Sequence, residues 1–403
     1  MKIVIIGGGS AGVWTALYYA YNTRNNKDIE VELIHDPEIE TSPVGQGSTL
    51  DVVSLLYQAC GTDWYHNEIR ATPKMGILYE NFSKKNKNIF HNFDLNVTAI
   101  QVDPKYLQKY ILNSGLFNVK EGNVTDLDTV DADVIFDCRG NTGKDDIEYE
   151  SLYSPVNSVL LATSTENNNA QLWTRSVATP DGWTFVIPNT TDTTSYGYLY
   201  NKDITPMETA KTNFSEVFGK EFPNEMETVN LPFESYIAEE PIRIDSNGRK
   251  IILNGNRLAF LEPMEATAIG FYLTVSRMTF DWCTNPTPYY PIDEINYYIK
   301  RYNYELYTFI LWHYIRGSIY DTPFWRSAQA RTTDFFEQPN EIFEDVLETA
   351  KFASYEDLRD SSPGSHQRVD LNPIPYGQWP LYSIKMWYDQ YINDEMRSSP
   401  LGA

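Results

Sequence analysis

The chain is short of positive charge, of cysteine and of long apolar runs, and each shortage removes a class of protein. Lysine and arginine number 32 against 55 acidic residues, a formal net charge of -23. So acidic a surface repels a nucleic-acid backbone, so no nucleic-acid partner is expected and the charge reads as a source of solubility. The three cysteines, Cys60, Cys138 and Cys283, are far apart and leave at least one unpaired. They offer no CxxC spacing for metal or redox chemistry, so no metal is expected and a reducing cytoplasm suits them. No run reaches the roughly 18 apolar residues that a membrane span needs. Met1 and Lys2 lead straight into an apolar strand, so neither a signal peptide nor a membrane anchor is expected. Internal repeats, low-complexity tracts and long flexible linkers are also missing.

What is present begins at once. Lys2 to Ile6 is a short β-branched run suited to a buried parallel strand, followed by Gly7-Gly8-Gly9-Ser10-Ala11-Gly12 and a helix-competent stretch from Val13 to Ala20. This is GxGxxG in the setting it requires. Gly7 permits the tight turn, Gly9 lets the backbone approach a pyrophosphate, and Gly12 lets helix and strand pack closely. The phosphates then meet the free N–H groups of the helix N-terminus, with Ser10 and Ala11 beside them, and a dinucleotide is expected. The second strand, Glu30 to Ile34, should end in a carboxylate for the adenosine ribose. Here His35 holds that place and Asp36 follows, and either could make the contact.

Further along, polar clusters at 22–28, 167–169, 189–195 and 361–368 mark connections. Apolar residues at helical spacing predict one long helix from Asp293, as its cap, to about Gly317. Lys74 differs from its neighbours Lys84, Lys85 and Lys87, which sit in a polar run. It follows a Thr-Pro turn and precedes Met75, Ile77 and Leu78, so desolvation should lower its pKa and sharpen its reactivity.

Several motifs in a fixed order carry a resemblance to a known family. Asp181-Gly182-Trp183-Thr184-Phe185-Val186-Ile187-Pro188 resembles a drifted WxWxIP signature, and Val44 to Thr49, preceded by Pro43, resembles a VGEAT loop with Gln46 in place of the acid. Thr72-Pro73-Lys74-Met75 matches a catalytic-lysine region. Val102 to Leu107 resembles the VDR turn, and Asp137-Cys138-Arg139-Gly140 is a DCxG turn. Gly255-Asn256 stands where a flavin-phosphate motif usually has Gly-Asp. Phe260 to Ala268 resembles FxEPLESTG, and Trp312 to Trp325 matches HY....R.DTPFW. Together these identify the chain as similar to the flavin-dependent halogenases, of the tryptophan-halogenase type.

The resemblance implies an α/β fold: an FAD-binding, Rossmann-like flavoprotein monooxygenase-type fold with a largely helical substrate-binding region. It divides the chain into a cofactor part (1–60, 95–165 and 240–285) and a substrate part (61–94, 166–239 and 286–403). It implies FAD, used as FADH2, held by the Gly7 to Gly12 loop, His35 or Asp36, Gln46, Gly47, Ser48, Gly255 and Asn256. Halide and O2 are co-substrates, and the backbone N–H groups at Thr267 and Ala268 hold the halide. Hypohalous acid would pass through a tunnel to Lys74, by hydrogen bonding or as a haloamine, with Glu265 facing it beside an electron-rich indole or phenol. Trp183, Phe185 and Pro188 form the wall that keeps substrate from the flavin, so that halogenation and not hydroxylation follows. The segment containing His313 is expected to pack the long helix onto the body and to shape the substrate pocket, with no part in proton transfer.

Ala266 replaces Ser, and Ala268 replaces Gly at a place where an alanine resists positive φ. With no second dinucleotide motif, a separate flavin reductase is expected as a transient partner, and a homo-oligomer is open. The chain is shorter than a tryptophan halogenase on its substrate side, which implies a more open pocket and a substrate other than tryptophan. Two other readings share parts of this pattern: a single-component flavin aromatic hydroxylase, which needs neither Lys74 nor the Trp183 to Pro188 segment, and a non-catalytic flavin-binding protein.

Overall fold

The computed structural model describes residues 1–40, 44–62, 68–84, 87–93, 99–140, 147–165, 171–190, 192–219, 230–354, 377–379 and 381–393. Pro43, Lys85 and the connections expected at 167–169 and 361–368 lie outside them.

Apolar β-branched runs build a six-stranded sheet in the order Ile242–Ile244, Lys250–Leu253, Val134–Asp137, Lys2–Ile6, Glu30–His35, Asn118–Glu121. Every neighbour is parallel except the hairpin of the first two strands. Ile3, Val4 and Ile5 are fully buried, as a sheet covered on both faces requires. The helix Ser10–Thr23 covers one face through Val13, Trp14 and Leu17, and the helix Ala268–Thr284 packs on it, joined by the Tyr19 hydroxyl and Thr279 Oγ1 at 3.0 Å.

The substrate-side helices expected from the sequence are present: Ile292–Trp312, Pro323–Phe336, Glu341–Phe352 and Leu381–Asn393. With them stands a seven-stranded sheet, in the order Asn230–Pro232, Ser158–Ser164, Thr194–Tyr200, Gly182–Ile187, Thr174–Thr179, Gly76–Glu80, Asn88–Asn92. Its pairings are antiparallel except between Thr174–Thr179 and Gly76–Glu80. Ser158–Ser164 joins this sheet although it falls within the stretch assigned above to the cofactor part.

The long helix differs from the sequence pattern at both ends. It is capped by Pro291, which leaves Asp293 in the first turn, and it stops at Trp312 rather than Gly317. From there His313, Tyr314 and Ile315 each donate an N–H to the carbonyl three residues back, and the chain leaves through Gly317 at φ 68°. Glycine marks the true exit, but a tightened turn precedes it. Both His313 and Tyr314 are buried there.

Candidate active site

The glycine loop forms the cradle that the sequence predicts. Gly7 has φ 116°, and a Cβ built on it would lie 2.4 Å from the Cys138 carbonyl oxygen. A Cβ on Gly12 would lie 1.8 Å from the Gly7 oxygen, whereas one on Gly9 meets nothing within 4 Å. Gly9 therefore faces open space, and the helix behind it starts without a side-chain cap. Its first N–H groups are left to a ligand, and a pyrophosphate fits this arrangement. Gly255 has φ 67° and closes against Ala11, where a Cβ would approach to 2.6 Å. Asp137 ties the DCxG turn to this segment, accepting from Arg139 Nε at 2.9 Å and Arg257 Nε at 3.1 Å. Burial raises the Asp137 carboxyl, but those guanidinium groups outweigh it and hold the pKa below its ordinary value.

Among the other predicted cofactor residues, His35 ends its strand against Gly8, and Asp36 turns back to accept from Glu38 N at 2.9 Å. Asn256 is exposed. We expect Gly12→Ala to cost about 2–3 kcal/mol through overpacking and to abolish flavin binding, checked by thermal unfolding and by titration with FAD.

Lys74 is set by a small sheet that the sequence did not reveal. The strand Ala99–Val102 pairs antiparallel with Gln46–Gly47 on one side and with Thr72–Lys74 on the other. One side therefore reaches the glycine loop, where Ser10 Oγ donates to Gln46 Oε1 at 2.8 Å. The Ser48 hydroxyl accepts from Ile100 N at 2.9 Å and fixes that edge. On the other side the Lys74 amine lies against Gly47, where a built Cβ would be 2.9 Å from Nζ and 3.2 Å from Ala266 Cβ. Thr72 Oγ1 donates to the Pro188 carbonyl at 2.6 Å, so the lysine strand is also tied to the end of the wall segment.

Lys74 is 1% exposed, and its Nζ stands 5.4 Å from the centre of the Phe93 ring. Burial pushes its pKa down and the Glu265 charge pulls it back, leaving it at about 8. The desolvation expected from sequence is thus borne by position in the fold.

Glu265 is held by groups from four separate segments. Oε1 accepts from the Tyr79 hydroxyl and from His313 Nε2 at 2.8 Å. Oε2 accepts from Trp379 Nε1 at 3.2 Å and lies 3.6 Å from His91 Nδ1. Burial alone would raise this carboxyl, but the charges and hydrogen bonds of His91 and His313 reverse the shift and hold it well below the usual range. His313 Nδ1 also lies 2.7 Å from the Phe309 carbonyl, which fixes the ring in place from both sides.

His313 therefore joins the Glu265 cluster, a contact that the sequence, read there as packing and pocket-shaping architecture, did not single out. Its signal was one imidazole on an otherwise apolar helix face. His91, Tyr79 and Trp379 gave no sequence signal, because each meets Glu265 only through long-range contact. The helix Leu381–Asn393 backs the group: the Trp387 ring lies 4.7 Å from that of Tyr79 and 4.6 Å from that of His313, and Ser383 Oγ is 2.8 Å from His91 Nε2.

Trp183 and Phe185, the residues expected to form the wall, are 0% and 4% exposed on the strand Gly182–Ile187. Phe185 lies over its cross-strand partner Gly197, where a Cβ would come within 2.1 Å of the ring. Pro188 is also buried. Thr267 caps the helix Ala268–Thr284 without a side-chain bond, so its first N–H groups, near Ala266 and Gly47, suit an anion. The positive φ falls on Ala266, at 54°, and not on Ala268. Alanine at 268 thus has no positive φ to resist, because that residue already begins the helix. Among the described residues, no cluster of three or more His, Cys, Asp or Glu can hold a metal ion, and no helix is long and apolar enough to cross a membrane.

A family model described as tryptophan halogenase matches residues 2–115 and 112–359. The tryptophan 6-halogenase ThaL of Streptomyces albogriseolus is 26% identical over 167 residues, 40% of this chain; the match spans only 29% of that relative's length. Among solved structures, the tryptophan 6-halogenase SttH from Streptomyces toxytricini superposes with TM-score 0.74 at 17% identity, covering 96% of this chain and 89% of its own. BrvH, a flavin-dependent halogenase from Brevundimonas sp. BAL3, gives 0.71 at 17% identity with the same coverage. At such identities the superpositions speak to fold.

Proposed function

Because the chain belongs to the tryptophan halogenase family, we propose that it halogenates an electron-rich aromatic compound of indole or phenol type with FADH2, O2 and halide. The observation that carries this is Lys74: a lysine 1% exposed, with a pKa of about 8, beside a carboxylate clamped by other partners. A structural lysine in so dry a place is normally neutralised by its own ion pair. Here Glu265 acts on Lys74 through charge while its oxygens bond elsewhere, which leaves the amine to a reactant.

Bound reduced flavin supplies, with oxygen, the oxidising power that turns halide into hypohalous acid. Residues 1–60, 95–165 and 240–285 hold that cofactor in this reading, and the N–H groups at Thr267 and Ala268 hold the halide. The Lys74 ammonium donates a hydrogen bond to the hypohalous acid and polarises it towards the ring. Glu265 keeps its negative charge and stabilises the cationic ring intermediate. A carboxyl held so far below its usual range is a poor proton acceptor, so charge stabilisation is its main role. Trp183 and Phe185 keep the ring on the lysine side. A separate reductase supplies the reduced flavin, and the protein works in the cytoplasm.

The test is purified protein with FAD, a flavin reductase, NADH and bromide, presented with a panel of indoles and phenols. Brominated product is expected, with free tryptophan outperformed by other members of the panel. No product with any halide or substrate would favour a non-catalytic flavin-binding protein. Since the ammonium is the active form, halogenation is expected to fall as pH rises through about 8. A rate that climbs over that interval would point instead to the free amine and a haloamine.

A further inference from the structure

Three residues before Glu265 lies a second buried carboxyl that the reaction above does not use. Glu262 is 2% exposed. Its Oε1 accepts from the Tyr314 hydroxyl at 2.5 Å and its Oε2 from Ser154 Oγ at 2.7 Å. The two glutamates thus grip adjacent residues of the tightened turn, Glu265 through His313 and Glu262 through Tyr314. Tyr314 is fully buried, its ring 5.9 Å from Trp325, and its hydroxyl lies close to Trp183. One hydroxyl therefore bonds the second carboxyl and lies beside Trp183.

We propose that Glu262 is a positioning residue: its carboxyl fixes Tyr314, and through Tyr314 both the Trp183 wall and the His313 arm that holds Glu265 opposite Lys74. The proposal rests on the halogenase reading for its consequence, but its structural link can be measured without turnover.

The surroundings decide which form of Glu262 does this. The ionisable groups facing it are Tyr314, Tyr153 and Tyr307, and the nearest cation acting on this group of tyrosines, Arg331, stacks on the Tyr153 ring at 4.1 Å. Among the described residues, no cation contributes to holding the Glu262 charge. Burial raises its carboxyl, the bonds from Tyr314 and Ser154 lower it in part, and it settles at about 7. Protonated, it can donate one bond and accept the other with no net charge in a dry pocket. Ionised, it keeps two acceptors but carries a charge that nothing answers, and the loop it anchors loosens. The neutral form is the one that positions the site.

Glu262→Gln keeps the shape and fixes the neutral state, so it separates the proton from the packing. For the protein without flavin, a carboxyl raised on folding contributes stability that is present below its unfolded pKa and lost as pH rises to about 7. From pH 5 to 8 the melting temperature of the wild type should therefore fall by about 3 °C relative to the glutamine variant. In turnover, brominated product per flavin oxidised should be similar for the two proteins at pH 6 and about tenfold higher in the variant at pH 8. Taking the ratio cancels the Lys74 titration, which both proteins share. Tyr314→Phe, which breaks the link and leaves Glu262 in place, should lower that yield at pH 6 while flavin oxidation continues.

A melting difference that does not change with pH, or a product ratio that stays flat from pH 6 to 8, would overturn the proposal. So would full yield in Tyr314→Phe. If the wild type forms no product, the halogenase reading fails, and the melting comparison still decides whether Glu262 holds the turn.

Discussion

Glu265→Ala is expected to lose about 3–5 kcal/mol of stability as well as the reaction, because it removes the common acceptor of a buried polar cluster. The Tyr79 hydroxyl, His313 Nε2 and Trp379 Nε1 all point at its two oxygens, and the Tyr79 and His313 side chains are 0% and 1% exposed. Water cannot easily replace a carboxylate in so dry a place, and the Tyr79 and Trp379 donors would be left with nothing to bond. Glu265→Gln should lose less, since one oxygen still accepts, but its amide presents hydrogens to donors and cannot satisfy both sides. Urea denaturation of the three proteins checks this. A loss under about 1 kcal/mol in the alanine variant would mean that the cluster is held by packing and not by its acceptor.

Lys74→Met should do the opposite to stability. Burial lowers the lysine pKa from 10.5 to about 8, so at neutral pH the folded protein holds an ammonium in a place that disfavours it. A methionine of similar length removes that penalty, and Glu265 keeps its own donors, so a gain of roughly 1–3 kcal/mol is expected near pH 7. The sign fixes the pH course. For a lysine whose pKa falls on folding, the penalty is complete below about 8 and fades between that value and 10.5, so the advantage of the variant should shrink over that interval. Denaturant curves at pH 7 and pH 10 measure it. Equal or lower stability of the variant at pH 7 would show that the lysine is compensated by the fold and is not held in reserve for a reactant.

These two outcomes also mark what was legible in the sequence. Local chemistry was: Gly7, Gly9 and Gly12 owe their roles to backbone geometry within one turn, and the structure gives each the turn, the open face and the close contact expected. Lys74 could be singled out because its apolar neighbours lie beside it in the chain. The partners of Glu265 could not, since they come from the strands Gly76–Glu80 and Asn88–Asn92, the end of a helix, and Trp379. Trp379, Ser383 and Trp387 also lie beyond the stretch that the family model matches.

The sheet joining Gln46–Gly47 to Thr72–Lys74 was hidden for a related reason, since its central strand is only four residues long. The contact of His313 with Glu265 was not legible because a helix-period stripe treats each buried position as packing, and only the tightened turn after Trp312 brings it to Glu265. At 266–268 the order of residue types was readable but the backbone was not: attention fell on Ala268, whereas the positive φ lies at Ala266.

The central claim is that Lys74 directs hypohalous acid onto the ring while taking no part in flavin oxidation. Wild type and Lys74→Met, each supplied with FADH2, oxygen, bromide and an indole at pH 7, should be followed for flavin oxidation and brominated product in the same reaction. Flavin oxidation at an unchanged rate with at least a hundredfold less product, about 2.7 kcal/mol of lost transition-state stabilisation, is the predicted result. Bromination by the variant at a rate near that of the wild type would contradict it.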